Sequence, residues 1–359
     1  MTIHDLATPS VLIDLDRLEN NLKEMQTICN QHHVELWPHI KTHKSVEILK
    51  RQIAYGAKGA TCAKLSEAEA LLPSGIKQFF IAHSLVDPAI APRLRALSEK
   101  LDRLLLAVTS ELQAEALSKV LTAAGISVDV FVAYDTGLHR EGARSLENLK
   151  SLFARIEKLP NINPVAIYSH EGHSYGCTAE ELEATVKSIH AHLLEAREAI
   201  HPDILLAPGC SATAKIMATL PGIDIVRPGA YPLGDINLAK RLPVMKWDET
   251  AATVLSTVVD KPEPGLALID AGSKTFSGDK SSEGISGIEQ SDPELLAFRV
   301  NEEHGYLKGP KVDSLKIGER LRFVPNHICP VMNLIDKAYV IQGEKVIDTW
   351  KIEARGCVS

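Results

Sequence analysis

The chain has 359 residues, of which 45% are hydrophobic and 24% charged, an ordinary composition for a soluble globular protein. Its formal net charge of −7 excludes a general electrostatic attraction to nucleic acid or to an anionic membrane. No apolar run approaches the ~20 residues of a membrane span, the N-terminus lacks the pattern of a signal peptide, and the scattered cysteines do not indicate a disulfide framework. We therefore expect a cytoplasmic protein that binds neither nucleic acid nor membrane.

Helical and strand patterns alternate from about residue 16 to residue 231. After a helical pattern at 16–31, short apolar runs predict eight strands, at 35–41, 59–63, 78–83, 103–109, 127–135, 164–170, 203–208 and 224–227. Eight strands that alternate with helices are what a closed (β/α)8 barrel of the TIM type requires. An open doubly wound sheet would have fewer strands and usually a glycine-rich fingerprint after the first strand, which is absent.

Helical periodicity largely disappears after about residue 245. Strand patterns follow at 250–259, 265–270, 299–305, 316–324 and 337–352, and a segment rich in Ser, Gly and Asp at 275–292 predicts a loop. We therefore expect a barrel over residues 1–245 and a mostly antiparallel β domain over residues 246–359. Residues 1–14 are a candidate to pair with the β domain.

Polar residues end most of the predicted barrel strands, where active sites of such barrels lie. These residues are Lys41, His83, Thr109, Asp135, His170 and Arg227. Lys41 has His39 and His43 beside it, and neighbouring cations and partial burial lower an amine's pKa, as a Schiff-base lysine needs. The alternative is an ordinary surface lysine.

Two adjacent strand ends carry candidate phosphate cradles. The segment 209–213 starts a predicted helix, so its backbone amides and the hydroxyls of Ser211 and Thr213 could bind a phosphate. An ordinary helix cap is the alternative. After the eighth strand, Gly229 allows close backbone approach and Tyr231 could donate a hydrogen bond to the same phosphate.

Two further loops carry candidate ligand-binding side chains. Arg140 follows the fifth strand and could pair with a carboxylate or phenolate oxygen, with an ordinary salt bridge as the alternative. His170 could stack on a flat cofactor, while His173 and Tyr175 could face a substrate. A structural histidine is the alternative for each imidazole.

His327 and Cys329 stand two residues apart in a β-like run near the C-terminus. Side chains at i and i+2 leave a strand on the same face, so an imidazole nitrogen and a thiolate could bind one soft divalent metal, typically Zn²⁺ at roughly 2.0–2.3 Å. A reactive lysine and a distant metal pair suggest one composite active site.

Over nearly its whole length, the chain resembles the alanine-racemase-like (fold type III) pyridoxal-phosphate enzymes. The segments that carry the resemblance, in the expected order, are Lys41, 135–140, His170, 209–213 and 227–229. Three further segments look like the metal-activated branch that contains D-serine dehydratase and D-threonine aldolase: 270–274, 303–305 and 325–330.

The resemblance implies roles for the candidate residues. Pyridoxal 5′-phosphate would be bound to Lys41, with Arg140 near its phenolic oxygen and Arg227 near its pyridine nitrogen. The phosphate would be held by Ser211, Thr213, Gly229 and Tyr231.

The resemblance also implies a metal beside the cofactor, bound by His327 and Cys329. Zn²⁺ is expected there, with Mn²⁺ or Mg²⁺ as alternatives, and His304 is a candidate second acid or base at the substrate. Because such sites are completed across a head-to-tail dimer, the resemblance implies a homodimer with shared active sites.

The implied activity is that of a lyase on D-β-hydroxy amino acids. Cys329 as the second metal ligand resembles the zinc-dependent D-serine dehydratases, which convert D-serine to pyruvate and ammonia, because the aldolases more often have aspartate there. A D-threonine aldolase, which gives glycine and acetaldehyde, and a 3-hydroxy-D-aspartate lyase stay open. An amino-acid racemase, with only Tyr306 and Tyr339 as C-terminal-domain candidates for its second base, and a non-catalytic cofactor carrier fit less well.

Overall fold

The computed structural model describes residues 1–242, 244–281 and 283–359. Its strands are β1 Ser10–Asp14, β2 Glu35–Leu36, β3 Ala60–Cys62, β4 Gln78–Ile81, β5 Arg103–Val108, β6 Val128–Ala133, β7 Ile162–Tyr168, β8 Leu205–Ala207, β9 Ile225–Val226, β10 Ala252–Glu263, β11 Leu266–Ile269, β12 Gly287–Glu289, β13 Leu296–Val300, β14 Gly305–Lys308, β15 Arg320–Pro325, β16 Lys337–Gln342 and β17 Lys345–Lys351. Its α-helices are α1 Leu15–Gln31, α2 Val46–Tyr55, α3 Leu65–Leu71, α4 Ala91–Ser98, α5 Glu111–Ala124, α6 Leu146–Ile156, α7 Ala179–Ile200, α8 Ala214–Met217, α9 Ser273–Phe276 and α10 Ile328–Leu334.

The chain divides into two compact units. The α/β unit comprises residues 24–41, 48–229 and 357–359, and the β unit comprises residues 1–23, 42–47 and 230–356. Among the described residues, no helix combines the length and the hydropathy needed to cross a membrane.

The α/β unit contains a parallel sheet of six strands in the order β3-β4-β5-β6-β7-β8, and β2 and β9 form a separate parallel pair. All eight predicted strands overlap observed ones, which confirms a parallel α/β arrangement. Backbone hydrogen bonds continue beyond the sheet edges, from Ile40 N to Thr61 O at 2.9 Å and from Asp224 N to Leu206 O at 3.2 Å. Closure into one eight-stranded barrel stays a prediction, because the eight strands fall into two sheets.

Buried side chains from these strands form a hydrophobic core cluster. The core cluster contains Trp37, Phe80, Leu105, Ala107, Phe131, Ala133, Ala166, Tyr168, Ala207 and Ile225. The outer helices begin and end where the sequence supplies caps: Ser110 accepts a hydrogen bond from Gln113 N at the start of α5, and Gly125 ends the helix with a φ of 67°.

The β unit contains a closed ring of six antiparallel strands. The order is β10-β11-β14-β13-β12-β15, and β15 pairs with β10 again. Closure depends on the length of β10, whose first half pairs with β15 (Val254 opposite Phe323) while Val258 lies opposite Ile269 of β11. The predicted antiparallel character of this region is confirmed.

Three more strands extend the sheet of the β unit. β1 pairs antiparallel with β10 and parallel with β16, and β16 forms a hairpin with β17. Leu12, Leu255 and Ile341 pack together in this part of the core. The domain boundary at residue 245 stays a prediction.

Three local predictions in the β unit were wrong. The strand expected at 299–305 spans the turn between β13, which ends at Val300, and β14, which begins at Gly305, and the loop expected at 275–292 contains the end of α9 and all of β12. The β-like run around His327 and Cys329 is a strand-to-helix junction, because β15 ends at Pro325 and α10 begins at Ile328. The carboxylate of Asp235 accepts a hydrogen bond from Ile328 N at 3.2 Å, which stabilises the start of α10.

Candidate active site

A cavity of ≈ 280 Å³ lies in the α/β unit at the end where its strands finish. Four of the predicted site residues line it: Lys41, Arg140, His170 and Arg227. The backbone after β2 stays paired as far as Ile40, since His39 N donates to Pro228 O at 2.9 Å. This pairing delivers Lys41, which is half-buried, to the cavity.

Two histidines beside Lys41 are held in the neutral state. Burial, followed by the charge of Lys41, lowers the pKa of His170 to about 3 and holds the pKa of His39 well below its usual value. The Nδ1 atom of His170 lies 2.9 Å from the carbonyl oxygen of Gly209, and this contact fixes the plane of the ring. Both imidazoles therefore add little positive charge to the cavity near neutral pH.

Arg227 is almost fully buried, at 3% exposure. Its Nε donates to the carbonyl of Ala207 at 3.0 Å, its Nη2 donates to the carbonyl of Ser169, and its guanidinium lies over the rings of Phe80 and Tyr168. Arg227 therefore ties the ends of β7 and β8 together besides lining the cavity.

Sequence reasoning missed Lys64, Glu141 and Tyr168, which also line the cavity. Tyr168 is the last residue of β7 and is 4% exposed, and its hydroxyl has no hydrogen-bond partner among the described residues. Tyr168 belongs to the predicted strand 164–170, and its position near the end of that strand was a usable signal. A buried hydroxyl without a partner is expected to bind a ligand atom or a water molecule.

Arg140 lies at the exposed side of this cavity, with 56% of its side chain accessible, and its Nη2 lies 3.3 Å from Glu141 Oε1. Asp135 shapes the preceding loop by accepting hydrogen bonds from Gly137 N at 3.0 Å and His139 N at 3.1 Å. Burial acts to raise the pKa of Asp135, but these amide donors hold it below its usual value. Asp135 therefore positions the loop as an anion.

His173 and Tyr175 lie in a short 3-10 helix, Gly172–Gly176, and are not among the residues that line the cavity. The Nδ1 atom of His173 is buried without a partner among the described residues. The ring packs on Gly137, where an added Cβ would come within 3.2 Å of His173 Nε2. The predicted contact of His173 and Tyr175 with substrate stays a prediction.

The predicted phosphate cradle forms a buried turn after β8. Ser211 accepts a hydrogen bond from Gly229 N at 3.0 Å, which joins the loops after β8 and β9. Gly209 has to be glycine here, because a Cβ would lie 2.6 Å from the Cβ of Arg227. The helix that follows is shorter than expected, since α8 spans only Ala214–Met217.

Thr213 and Glu171 form a second part of this cradle. The hydroxyl of Thr213 donates to Glu171 Oε2 at 3.2 Å, and both residues are buried. Sequence reasoning missed Glu171, since a glutamate within a loop rich in His and Ser gave no distinguishing signal. Tyr231, the remaining predicted phosphate ligand, belongs to the β unit and is 6% exposed.

In the β unit, His327 and Cys329 lie at the start of α10. The sequence analysis placed them on one face of a strand and did not predict this strand-to-helix junction. His327 Nδ1 lies 2.7 Å from Asp279 Oδ2, and Cys329 Sγ lies 3.0 Å from the hydroxyl of Thr42. Burial acts to lower the pKa of His327, but hydrogen bonding to Cys329 and the charges around it raise that pKa to about 9. Asp235 contributes to this effect from its buried position, at 2% exposure.

His304 lies in the exposed turn between β13 and β14, where its carbonyl accepts a hydrogen bond from Asn301 N at 2.9 Å. Its predicted role as an acid or base stays a prediction. Among the described residues, no group of three or more His, Cys, Asp or Glu side chains is arranged to hold a metal ion. The metal-binding role of His327 and Cys329 stays a prediction.

Two family models match the chain. The alanine racemase N-terminal domain matches residues 13–236, and the putative serine dehydratase domain matches residues 251–341. The chain therefore belongs to the alanine-racemase-like, fold type III pyridoxal-phosphate enzymes. Within them, it is a pyridoxal-phosphate-dependent lyase of the D-serine dehydratase or D-threonine aldolase type.

Curated relatives cover nearly the whole chain. D-threonine aldolase of Arthrobacter sp. is 31% identical and covers 97% of the chain and 93% of that protein. D-threo-3-hydroxyaspartate dehydratase of Delftia sp. strain HT23 is 28% identical, with 98% of both chains covered. D-serine dehydratase of Schizosaccharomyces pombe is 27% identical and covers 97% of the chain and 92% of that protein.

Solved structures of D-threo-3-hydroxyaspartate dehydratase have a very similar fold. A histidine-to-alanine variant has a TM-score of 0.89 at 27% identity, with 98% of this chain and 96% of that chain covered. A cysteine-to-alanine variant, solved in the metal-free form, has a TM-score of 0.89 at 27% identity, with 98% of both chains covered. The replaced histidine and cysteine lie two positions apart.

Proposed function

We propose that the chain is a pyridoxal-phosphate- and zinc-dependent lyase that acts on D-β-hydroxy amino acids, with D-serine as substrate and pyruvate and ammonia as products. The observation that carries this proposal is the contact between His327 and Cys329 at the start of α10. An imidazole and a thiolate form a donor set that favours Zn²⁺ over Mn²⁺ or Mg²⁺.

The cavity in the α/β unit fits pyridoxal phosphate. Its lining includes the cations Lys41, Lys64, Arg140 and Arg227 against the single carboxylate of Glu141, so it suits an anionic ligand. The unpartnered hydroxyl of Tyr168 offers a hydrogen bond to a ligand atom. Gly209, where a Cβ would lie 2.6 Å from the Cβ of Arg227, lets the turn 209–213 pack closely against Arg227 at the edge of the cavity. Bound there, the cofactor would supply an electron sink for charge that develops at the substrate Cα.

The metal pair fits a catalytic zinc. Two protein ligands leave coordination positions for water or for a substrate hydroxyl, whereas a structural zinc site is closed by four protein ligands. The related dehydratase supports this assignment, because its metal-free form carries a substituted cysteine, and its histidine and cysteine have the spacing of His327 and Cys329. The ion would supply a Lewis acid for the β-hydroxyl.

The chain's own residues would then perform three tasks. Lys41 would attach the cofactor and, as a free amine, accept the proton from the substrate Cα. His170, kept neutral and held by Gly209, would support one face of the cofactor ring. Arg140 would neutralise the phenolic oxygen of the cofactor from the exposed side.

A D-threonine aldolase is the second candidate, and one observation favours it: the aldolase of Arthrobacter sp. is 31% identical, against 27% for the dehydratase of S. pombe. A 3-hydroxy-D-aspartate lyase is supported by the 28% identity with the Delftia enzyme. The three sequence identities differ by only a few per cent and do not distinguish the substrates of these enzymes. We therefore give more weight to Cys329 as the second metal ligand, which favours the dehydratase.

The proposal extends to the finer architecture. We take the eight strands of the α/β unit as one (β/α)8 barrel, supported by the hydrogen bonds that link Ile40 to Thr61 and Asp224 to Leu206. We also propose a homodimer with shared active sites, which sedimentation of the purified protein would test.

A product assay tests the proposed function. Purified, zinc-loaded protein is incubated in parallel with D-serine, D-threonine and 3-hydroxy-D-aspartate, and keto acids, ammonia, glycine and aldehydes are measured. We expect pyruvate and ammonia from D-serine as the fastest reaction. Glycine and acetaldehyde from D-threonine as the main products would instead establish the aldolase.

A further inference from the structure

Glu171 is a fully buried carboxylate in the α/β unit, with 0% exposure. It follows β7, and burial of a charged carboxylate is costly unless hydrogen bonds and a nearby cation stabilise it. The proposed catalytic steps do not involve Glu171, so the reason for its burial lies in what it contacts.

Three groups donate hydrogen bonds to this carboxylate. Gly209 N lies 3.0 Å from Oε2, the Thr213 hydroxyl lies 3.2 Å from Oε2, and the Ser169 hydroxyl donates to Oε1. Two of these donors stand at the two ends of the turn 209–213. Glu171 therefore holds that turn against the end of β7.

The same turn is fastened on its other side. Ser211 Oγ accepts a hydrogen bond from Gly229 N at 3.0 Å, so the loops after β7, β8 and β9 form one connected network. The Thr213 hydroxyl has two acceptors within the protein, Glu171 Oε2 at 3.2 Å and the carbonyl of Cys210 at 3.3 Å, so its proton is not free to bind a phosphate. Gly209 N also donates to Glu171, so the phosphate-binding groups that we assign to the turn are the backbone amides after Gly209 and the side chain of Ser211.

The negative charge of Glu171 would by itself repel a phosphate. Arg227, buried in the same region, offsets it: burial lowers the pKa of Arg227, and the Glu171 charge acts in the opposite direction. Removing the charge of Glu171 would affect phosphate binding in two opposite ways. The turn would lose its hydrogen-bonded support, which weakens binding, and the repulsion between Glu171 and the phosphate would disappear, which strengthens it. The geometry favours the loss of support, because Gly209 N and the Ser169 hydroxyl would lose their acceptor and the Thr213 hydroxyl would keep only the carbonyl of Cys210.

We propose that Glu171 is a positioning residue that holds the turn 209–213 in the shape in which its backbone amides and Ser211 bind the phosphate of the cofactor. This inference rests on the proposed function, because it takes the turn as the phosphate site. Glu171 touches the turn and not the reacting atoms, so its effect is on cofactor affinity through the phosphate.

The test compares pyridoxal phosphate with pyridoxal, which lacks the phosphate. Full-length protein stripped of cofactor is titrated with each compound, and binding is followed by absorbance, for the unchanged protein, Glu171→Ala and Glu171→Gln. Glu289→Ala is the matched control, because Glu289 is also buried and also accepts three hydrogen bonds, from Ser291 N, Ser291 Oγ and Asp292 N, in the β unit.

We expect Glu171→Ala to weaken binding of pyridoxal phosphate by about tenfold or more and to change binding of pyridoxal by less than about twofold. Glu171→Gln keeps one acceptor oxygen, so it should weaken binding of pyridoxal phosphate less than Glu171→Ala does, again with little change for pyridoxal. This variant tests the role of Glu171 if the alanine variant does not fold. Glu289→Ala should leave the ratio of the two affinities unchanged.

An unchanged affinity ratio in both Glu171 variants, or tighter binding of pyridoxal phosphate by Glu171→Gln, would overturn the role of Glu171. A different outcome bears on the proposed function: if the unchanged protein shows no preference for the phosphorylated compound, the phosphate site itself is misassigned. The two failures are therefore distinguishable.

Discussion

The two units surround their polar sites with charge of opposite sign. In the α/β unit, the cavity has Lys41, Arg140 and Arg227 in its lining, and the pKa of His170 falls to about 3. In the β unit, burial acts to lower the pKa of His327, but Cys329 and then the carboxylates of Asp279 and Asp235 raise it to about 9. Burial and nearby cations thus lower the pKa of one histidine, whereas hydrogen bonds and negative charge outweigh burial at the other.

The difference in charge between the two sites indicates which kind of ligand each site suits. A cationic cavity with neutral imidazoles suits a phosphorylated cofactor, whereas a histidine and a thiol with carboxylates nearby suit a divalent cation. A site in which His327 is protonated without metal has to release that proton before metal binds, so metal binding is expected to release protons. Each of the following predictions perturbs one of the two sites, and the two with the largest effects also ask whether the other site is unaffected.

The largest effect is expected at Lys41. Lys41→Ala removes both the cofactor attachment and the proposed base, so turnover should fall by about 10³-fold or more, and the absorbance of the lysine-bound cofactor should disappear. Bound zinc should be unchanged. Lys64→Ala is the matched control in the same cavity, and it should keep the absorbance of the lysine-bound cofactor.

The next largest effect is expected at the metal pair. His327→Ala and Cys329→Ala should each lose bound zinc and lower turnover by roughly 10²-fold, with the cofactor absorbance retained. Cys177→Ala is the control cysteine, since its Sγ contacts Thr185 Oγ1 at 3.4 Å in the α/β unit. Full activity in either metal-pair variant would show that the pair does not bind the catalytic ion.

A smaller effect is expected at Asp279, which accepts the Nδ1 proton of His327 at 2.7 Å. Such a carboxylate orients a ligating imidazole, so Asp279→Asn should weaken zinc binding by about 10- to 100-fold, measured by competition with a chromogenic chelator. Glu283→Gln, in the same segment and exposed, should leave zinc affinity unchanged. Equal affinities in the two variants would contradict the role of Asp279.

The smallest effect is a pH dependence of stability. Because the pKa of His170 is about 3 in the folded protein and about 6.5 when unfolded, the unfolded chain binds the extra proton between these values. Stability should therefore fall as pH decreases below about 6.5, and His170 alone should cost about 1–2 kcal/mol at pH 5. Urea unfolding at pH 7.5 and pH 5 would check this: the loss should be smaller by that amount in His170→Gln, and equal losses would contradict it.

The strand ends of the α/β unit were predictable because their apolar runs are short and regularly spaced. Lys41, His170 and Arg227 were found since parallel strands deliver their last residues to one end of the sheet. Tyr168 was missed although it stands at such an end, because an aromatic ring at the end of an apolar run is typical of a core residue. Glu171 was missed because its role depends on hydrogen bonds to a turn about 40 residues away.

The β unit was less predictable because its contacts are set by tertiary structure. His327 and Cys329 were proposed from the period of a strand, yet the chain leaves β15 at Pro325 and turns into α10. Proline ends the hydrogen-bonded ladder, and Asp235, far upstream in the sequence, caps the helix. The closeness of His327 and Cys329 was therefore predicted from the wrong local structure. Asp279, which contacts His327, lies in a segment that was predicted to be only a loop.

One measurement tests the central claim most directly: zinc content, cofactor absorbance and pyruvate formation from D-serine, determined on the same sample before and after treatment with a chelator. The account predicts that the chelator removes zinc and abolishes pyruvate formation while the cofactor absorbance stays, and that added Zn²⁺ restores activity. Pyruvate formation that continues undiminished in zinc-free protein would contradict it.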